Sequence, residues 1–197
     1  LDDPDFEIAC SANPELQMIC NGTFKPGHQK QFNHLTDFLY MIRSEYLFGK
    51  ELLKYQKEEG LMWKKFYERM TYLYANIKDD EITNTMAING RLMELKILKE
   101  INKLPNQEGA NLAAWHGHLE VLKWMKENNL PLPDQQGANW AAQNGHLEVL
   151  KWMKENNLVL PDRDGAILAT QEGHLNVLKW MKENNLSLPN QYGANWA

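Results

Sequence analysis

The sequence predicts an all-α protein, in which a solenoid of helix-turn-helix repeats follows a small helical domain. Three observations lead to this prediction. One sequence motif occurs three times, beginning at Gly109, Gly137 and Gly165, so its period is 28 residues. A fixed period of this size is typical of stacked supersecondary units. Apolar residues also recur at helical spacing before the repeats, and every element found along the chain is helical.

Each unit contains two predicted helices. A short first helix follows the opening glycine, and small residues such as Ala113 allow another helix to approach closely. Gly117 and its equivalents end this helix at an expected positive φ. The second helix, over residues 119–128, is apolar around more than half of its circumference, so it needs a neighbour on each side. Asn129 is expected to form a left-handed cap, and Pro133 prevents the helix from restarting.

The predicted boundaries divide the chain into a helical domain over residues 1–80 and a repeat array over residues 81–197. In the helical domain, amphipathic helices are expected over residues 31–48 and 61–74, and a short helix is expected to end at Gly60. The array is expected to contain a degenerate first unit (82–108), three full units (109–136, 137–164 and 165–192) and the opening of a further unit (193–197).

Composition and charge argue against several classes of protein. The 197-residue chain has a net charge of -5, and neither half is basic, so we expect no nucleic-acid partner. No apolar run approaches the roughly 18 residues of a membrane span, so we expect no membrane partner. Two cysteines, Cys10 and Cys20, suit buried thiols in a reducing compartment. We therefore predict a cytoplasmic protein.

No catalytic, cofactor-binding or metal-binding constellation stands out, so we predict a protein that is not an enzyme and that holds no cofactor or metal. His118, His146 and His174 recur once per unit, and stacked units hold such residues too far apart to share one ion. Trp124 and Trp152, like Trp180, recur among leucines and methionines, which favours core packing over a ladder for stacking ligands.

The phrase Ala-Ala-x-x-Gly-His-Leu-Glu-Val-Leu-Lys, residues 113–123, resembles the ankyrin repeat, and the resemblance covers residues 109–197. Such short units resemble the ankyrin arrays of giant DNA viruses, and a viral origin would imply a place in the host cytoplasm or in the virion. The usual unit has about 33 residues and opens with Thr-Pro-Leu-His. Here the opening is shortened, with Asn111, Asn139 and Asn195 where its histidine would be. The resemblance implies that the histidine after each glycine bonds neighbouring backbone, and that units are joined by stubby hairpins or by turns without β-pairing.

Positions that are identical in every unit are explained by stacking, whereas positions that change need another reason. The changes fall on the first helix and the inter-unit turn, the elements with which ankyrin proteins bind partners. Neutral drift after duplication is the alternative, but it would scatter changes, and the second helix is almost unchanged. We expect a protein partner to bind the array face through Asn111, Trp115, His116, Gln135, Gln136, Trp140, Gln143, Asn144, Arg163, Asp164, Gln171, Glu172, Gln191 and Tyr192.

The first 70 residues resemble the back half of an F-box, with Cys-x-x-Asn at 10–13 and Ile-Cys-Asn at 19–21. The tryptophan-containing segment 61–69 matches the later part of that pattern. It lies further along the chain than in the family pattern, because residues 22–60 form an insertion. F-boxes bind the small adaptor of cullin–RING ubiquitin ligases. The resemblance implies that a Skp-type adaptor contacts Pro4, Phe6, Cys10, Leu16, Ile19 and Trp63.

Repeats and F-box likeness together predict a non-enzymatic protein–protein interaction module. The array would recruit a protein partner, and the N-terminal domain would dock on a ubiquitin-ligase adaptor. The alternative is a structural scaffold or virion-associated component of a giant virus, with the helical domain as an oligomerisation or docking cap.

Overall fold

The computed structural model describes residues 40–41, 44–45, 48–79 and 81–189, except for the side chains of residues 57–59. Within these residues the regular secondary structure is helical, with no β-strand, which confirms the prediction of an all-α protein. The chain divides into two compact units, Leu1–Tyr72 and Leu73–Ala197. This division lies within a helix, whereas the sequence pattern places the domain boundary at residue 80.

In the first unit, Gly49 has a φ of 82° and separates preceding helical residues from a short 3-10 helix, Lys50–Leu52. The 3-10 helix leads into α1 (Leu53–Glu59). Gly60, with a φ of 60°, ends α1, and α2 (Trp63–Asn76) follows. The helices predicted at 61–74 and before Gly60 are therefore confirmed. Leu52 and Tyr55 are buried on the first segment, and Phe66 and Met70 are fully buried on one side of α2.

Four helix pairs make up the described part of the array. The pairs are α3 (Ile82–Ile88) with α4 (Leu92–Glu100), α5 (Gln107–Trp115) with α6 (Leu119–Glu127), α7 (Gln135–Gln143) with α8 (Leu147–Glu155), and α9 (Arg163–Gln171) with α10 (Leu175–Glu183). The first helix of each pair contacts its own second helix and the first helix of the next pair. The pairs therefore pack in a row in chain order. The inward-facing Leu122 and Leu150 of the second helices are fully buried.

The expected helix ends are confirmed. Gly117 and Gly145 have a φ of 74°, and Gly173 has a φ of 76°, so each ends a first helix in a conformation that side chains disfavour. Asn129 ends α6 with a φ of 54°, as an asparagine in the left-handed region can do. The residues between Asn129 and Asp134 contain no strand, so the units are joined by turns without β-pairing.

The expected start of the first helix is wrong. This helix begins before the opening glycine, at Gln107, Gln135 and Arg163, rather than after it. The reason is an N-cap: the Asp134 side chain accepts hydrogen bonds from the backbone N–H groups of Gln136 and Gly137. Asn106 and Asp162 cap the other two helices in the same way. Gln135, Gln136, Arg163 and Asp164 thus occupy first helical turns instead of inter-unit turns.

Candidate partner-binding face of the array

The histidine after each first helix is a stacking residue. The His118 Nε2–H donates to the carbonyl oxygen of Ile88 in the preceding pair, at 2.9 Å. Its ring lies against Gly90, where an added Cβ would come within 2.6 Å of His118 Nδ1. His146 packs on Gly117 with the corresponding distance at 2.5 Å. The bond from His118 confirms the expectation that this histidine holds neighbouring backbone.

Burial lowers the pKa of both His118 and His146 below the ordinary value of 6.5. Hydrogen bonds to backbone oppose this shift, and the neighbouring histidines, His116 among them, add to it. The two rings are therefore held neutral to a lower pH than a free histidine. A neutral ring with one N–H suits a single carbonyl acceptor.

A second stacking device uses asparagine side chains on the first helices. The Asn111 Oδ1 accepts from the backbone N–H of Asp134 at 3.0 Å, and the Asn139 Oδ1 accepts from that of Asp162 at 3.0 Å. Each asparagine thus fixes the cap of the next first helix. Asn111 is only 4% exposed. Its side chain holds the array together, so we leave Asn111 out of the binding face.

The second helices are joined by lysine–asparagine bonds. The Lys126 Nζ donates to the Asn156 Oδ1 of the next pair, and the Asn156 Nδ2 donates to the Trp152 carbonyl oxygen at 2.7 Å. Lys99 and Lys154 bond the equivalent asparagines. The repeated tryptophans are buried, with Trp124 at 7% and Trp152 at 8% exposure, which confirms that they belong to the core. Stacking thus accounts for the unchanging histidines, tryptophans and lysine–asparagine pairs.

Two tryptophans at changing positions are brought into contact. Trp115 is the last residue of α5 and Trp140 lies in the middle of α7, and their ring centroids are 5.1 Å apart with a 35° interplanar angle. Both side chains are half-buried. In the other two full units Trp115 is replaced by Gln143 and Gln171, and Trp140 by Leu112 and Leu168; the opening of the further unit has Trp196 at the position of Trp140. The pair therefore joins neighbouring units without being part of the common stacking pattern.

The contact continues into a row of four rings. Trp115 lies 5.4 Å from His116 between centroids, and His116 stacks on His118 at 6.0 Å with a 14° interplanar angle. We call Trp140, Trp115, His116 and His118 the aromatic row. His118 connects the row to α3, because its ring donates to the Ile88 carbonyl oxygen. The repeat position of His116 is occupied by asparagine or glutamate in the other two full units.

Apart from His116, which follows α5, the remaining predicted face residues that the structure describes lie at the ends of α7 and α9. Gln143, Asn144 and Gln135 are half-buried, the Asn144 Nδ2 donating to the Trp140 carbonyl oxygen at 3.0 Å and the Gln135 Nε2 to the Leu160 carbonyl oxygen at 3.0 Å. The exposed members are His116, Gln136, Arg163, Asp164, Gln171 and Glu172. Gln191 and Tyr192 lie outside the described residues.

Of the predicted adaptor-binding residues, only Trp63 is described. It begins α2, is half-buried, and meets Phe66 edge-on with 5.8 Å between ring centroids. Pro4, Phe6, Cys10, Leu16 and Ile19 lie outside the described residues, as do Cys20 and most of the segment 22–60.

Both tryptophans were predicted face residues because they stand at changing positions of the repeat, but the repeat pattern does not predict their contact. A search at the 28-residue period pairs Trp115 with Gln143, whereas the partner of Trp115 lies 25 residues away. The same 25-residue separation joins Gln107 to the Leu132 carbonyl oxygen and Gln135 to that of Leu160. Side chains on a first helix thus reach residues about one helical turn short of the equivalent position in the next unit. That offset is the signal that would have found the pair.

Among the described residues, no group of three or more His, Cys, Asp or Glu side chains is placed to hold a metal ion. In the same part of the chain, no helix combines the length and the apolar character needed to cross a membrane.

Comparison with protein-family models, curated proteins and solved structures gave no match.

Proposed function

We propose that this chain is a non-enzymatic protein–protein interaction module. In this proposal the repeat array is an ankyrin-type solenoid, and a protein partner binds the face formed by its first helices. Support comes from the resemblance of the repeated phrase to the ankyrin unit and from helix pairs that pack in a row. A row of similar units offers an extended face whose surface residues can vary without loss of stacking.

The observation that carries the proposal is the contact between Trp115 and Trp140. Tryptophan contributes heavily to protein interfaces when it is partly exposed and held rigidly. These two side chains are half-buried and lie 5.1 Å apart between centroids. The other two full units stack with glutamine and leucine at the same repeat positions, so stacking does not require the pair.

The test uses replacements that the chain already contains. The double variant Trp115→Gln and Trp140→Leu installs the residues of the neighbouring units. Proximity labelling in the native cells is expected to lose a defined set of partners with this variant. The strongest of them, once purified, should bind the wild-type chain directly and the variant at least about tenfold more weakly.

The matched control is Lys123→Ala with Lys151→Ala, which changes the second helices only. These lysines form exposed ion pairs with Glu120 and Glu148 at 2.8 and 2.7 Å, so the control should fold normally and keep every partner. Equal labelling by the wild-type chain and the tryptophan variant would contradict the proposed face.

For the N-terminal domain, we propose docking on a Skp-type adaptor of a cullin–RING ligase. The support is the sequence resemblance over residues 1–21 and 61–69. A purified adaptor is expected to bind the chain, and Leu16→Ala with Ile19→Ala should abolish that binding. Trp115→Gln, at a distant position in the sequence, is the control and should leave it unchanged. An adaptor that fails to bind the wild-type chain at micromolar concentration would remove this part of the proposal.

A further inference from the structure

The surroundings of the aromatic row have a definite charge. On α5, α7, α9 and the residues that cap their C-terminal ends, the acidic and basic side chains are Glu108, Asp164, Glu172 and Arg163, all exposed. Three carboxylates against one guanidinium give this surface a net charge of -2 with histidine neutral. A surface of this sign repels phosphates and acidic peptides and attracts basic ones.

The tryptophans themselves favour one kind of cation. The face of an indole ring is negative because of its quadrupole, so it attracts cations that lie over it. A guanidinium group is planar and weakly hydrated, and it stacks on such a face at little desolvation cost. The ammonium group of lysine is more strongly hydrated and has no plane to stack. Two tilted indoles in contact, on helices whose net charge is negative, therefore favour arginine over lysine.

Apolar side chains extend the surface on both sides of the row. Leu112 and Leu168 occupy the repeat position of Trp140 in the flanking units, and both are half-buried. Leu112, Trp140 and Leu168 thus follow one another along the stack, separated by roughly the 8–10 Å between packed helices. An extended peptide covers such a distance in about three residues. The surface suits an arginine flanked by apolar side chains.

We propose that the aromatic row is an arginine-reading site, at which the partner's polypeptide inserts an arginine over Trp115 and Trp140. This inference rests on the proposed function, because it names the chemistry of the segment bound on that same face. The guanidinium lies over the indoles, the carboxylates of Glu108 and Asp164 lower the energy of the cation, and apolar neighbours of the arginine contact Leu112 and Leu168.

The probes are three blocked peptides of the form acetyl-Leu-Gly-X-Gly-Leu-amide, with X as arginine, lysine or citrulline. Citrulline keeps the plane and size of the guanidinium without its charge. The full chain with ¹⁵N-labelled tryptophan is titrated with each peptide. The arginine peptide is expected to shift the indole N–H resonances of Trp115 and Trp140, which are assigned by single substitution. Citrulline should bind at least about fivefold more weakly, and lysine should fall between the two.

The variant arm uses Trp115→Gln with Trp140→Leu, which should weaken the arginine peptide by roughly tenfold. Unchanged thermal unfolding and unchanged resonances of Trp124, Trp152 and Trp180 serve as the folding check. If folding is disturbed, Trp115→Phe is the second variant, and it should keep measurable but weaker arginine binding. Citrulline binding as tightly as arginine, or arginine binding the variant equally well, would overturn the inference.

These outcomes are separable from those of the proposed function. If the cellular partners depend on Trp115 and Trp140 but the arginine peptide shows no preference over citrulline, the binding face stands and the arginine inference falls. If the partners are indifferent to both tryptophans while the arginine peptide binds them, the proposed function falls. Peptide display on the immobilised chain gives a further check, because arginine should be enriched with the wild-type chain and not with the double variant.

Discussion

The first and second helices of the array follow opposite rules. The second helices α6, α8 and α10 differ at one position, Glu120 and Glu148 against Asn176, and their buried faces are shared. The first helices α5, α7 and α9 keep their glycine and two of their three alanines, the third becoming Thr170, and they differ at most outward positions. The second helices thus provide a constant frame, and the first helices carry what distinguishes one unit from the next.

The comparison also teaches that variation alone does not mark a binding residue. The position of Asn111 becomes Ile167 in the third unit, yet Asn111 is buried and holds the cap of α7 through the Asp134 N–H. Its variation concerns the loop that it supports. The position of Trp115 varies as well, but the stacking bond there is accepted from His146 by the backbone carbonyl oxygen and is independent of the side chain. Only the second kind of variation points toward a partner.

The largest expected effect concerns the glycines that end the first helices. Gly145 has a φ of 74°, and an added Cβ would lie 2.5 Å from His174 Nδ1. Gly145→Ala combines a left-handed alanine, about 1–2 kcal/mol, with displacement of the His174 ring, about 1–3 kcal/mol. We therefore expect urea unfolding to report a loss of roughly 3 kcal/mol of stability.

Gly173→Ala is the matched control, because this glycine has a φ of 76° and no described atom lies within 4 Å of its added Cβ. It should cost only the left-handed part, about 1–2 kcal/mol. Equal losses for the two variants would mean that the histidine–glycine contact contributes nothing to stacking.

A smaller effect is expected where the asparagine bonds are removed. Asn139→Ile installs in the second unit the residue that the third unit has at this position. It removes two hydrogen bonds: the Asn139 Oδ1 accepts from the Asp162 N–H at 3.0 Å, and the Asn139 Nδ2 donates to the Asp162 Oδ1 at 2.9 Å. Because the cap of α9 loses its support, we expect a loss of about 1–2 kcal/mol by urea unfolding. Hydrogen exchange should quicken first at Asp162, Asp164 and Gly165.

The control is Gln171→Ala on the exposed side of α9, which should change stability by less than about 0.5 kcal/mol. A neutral Asn139→Ile variant would show that the Asp162 side chain caps α9 without help from the preceding unit.

Much of this architecture could be predicted because the repetition separates constant from changing residues. The period, the helix pairs, the left-handed Gly117 and Asn129, and the burial of Trp124 all followed from it. The start of the first helix does not follow from the repeat, because the repeated motif opens at Gly137 whereas the helix begins after the Asp134 cap. The contact of Trp115 with Trp140 was missed because the period fixes equivalence between positions, whereas contact depends on how helices are offset.

The smallest expected effect is the change of stability with pH that comes from the stacked histidines. Burial lowers the pKa of His146 in the folded chain below the unfolded value of 6.5. The unfolded chain therefore binds more protons in this range, and the His146 contribution to stability is fully present above pH 6.5 and declines as the pH falls below it. Repulsion from the neighbouring His116, His118 and His174 adds to this lowering of the His146 pKa.

The urea midpoint of the wild-type chain should therefore be lower at about pH 5.5 than at about pH 7.5. The difference should be smaller for His146→Gln, whose side chain does not titrate. The single-site effect is modest because the ring remains partly exposed to water, which screens its charge. The variant will also be less stable at the higher pH, so the comparison concerns the change between the two pH values in each chain. An equal fall in both chains would show that His146 does not contribute to the pH dependence, and the glycine effect would then be the measure of its contact.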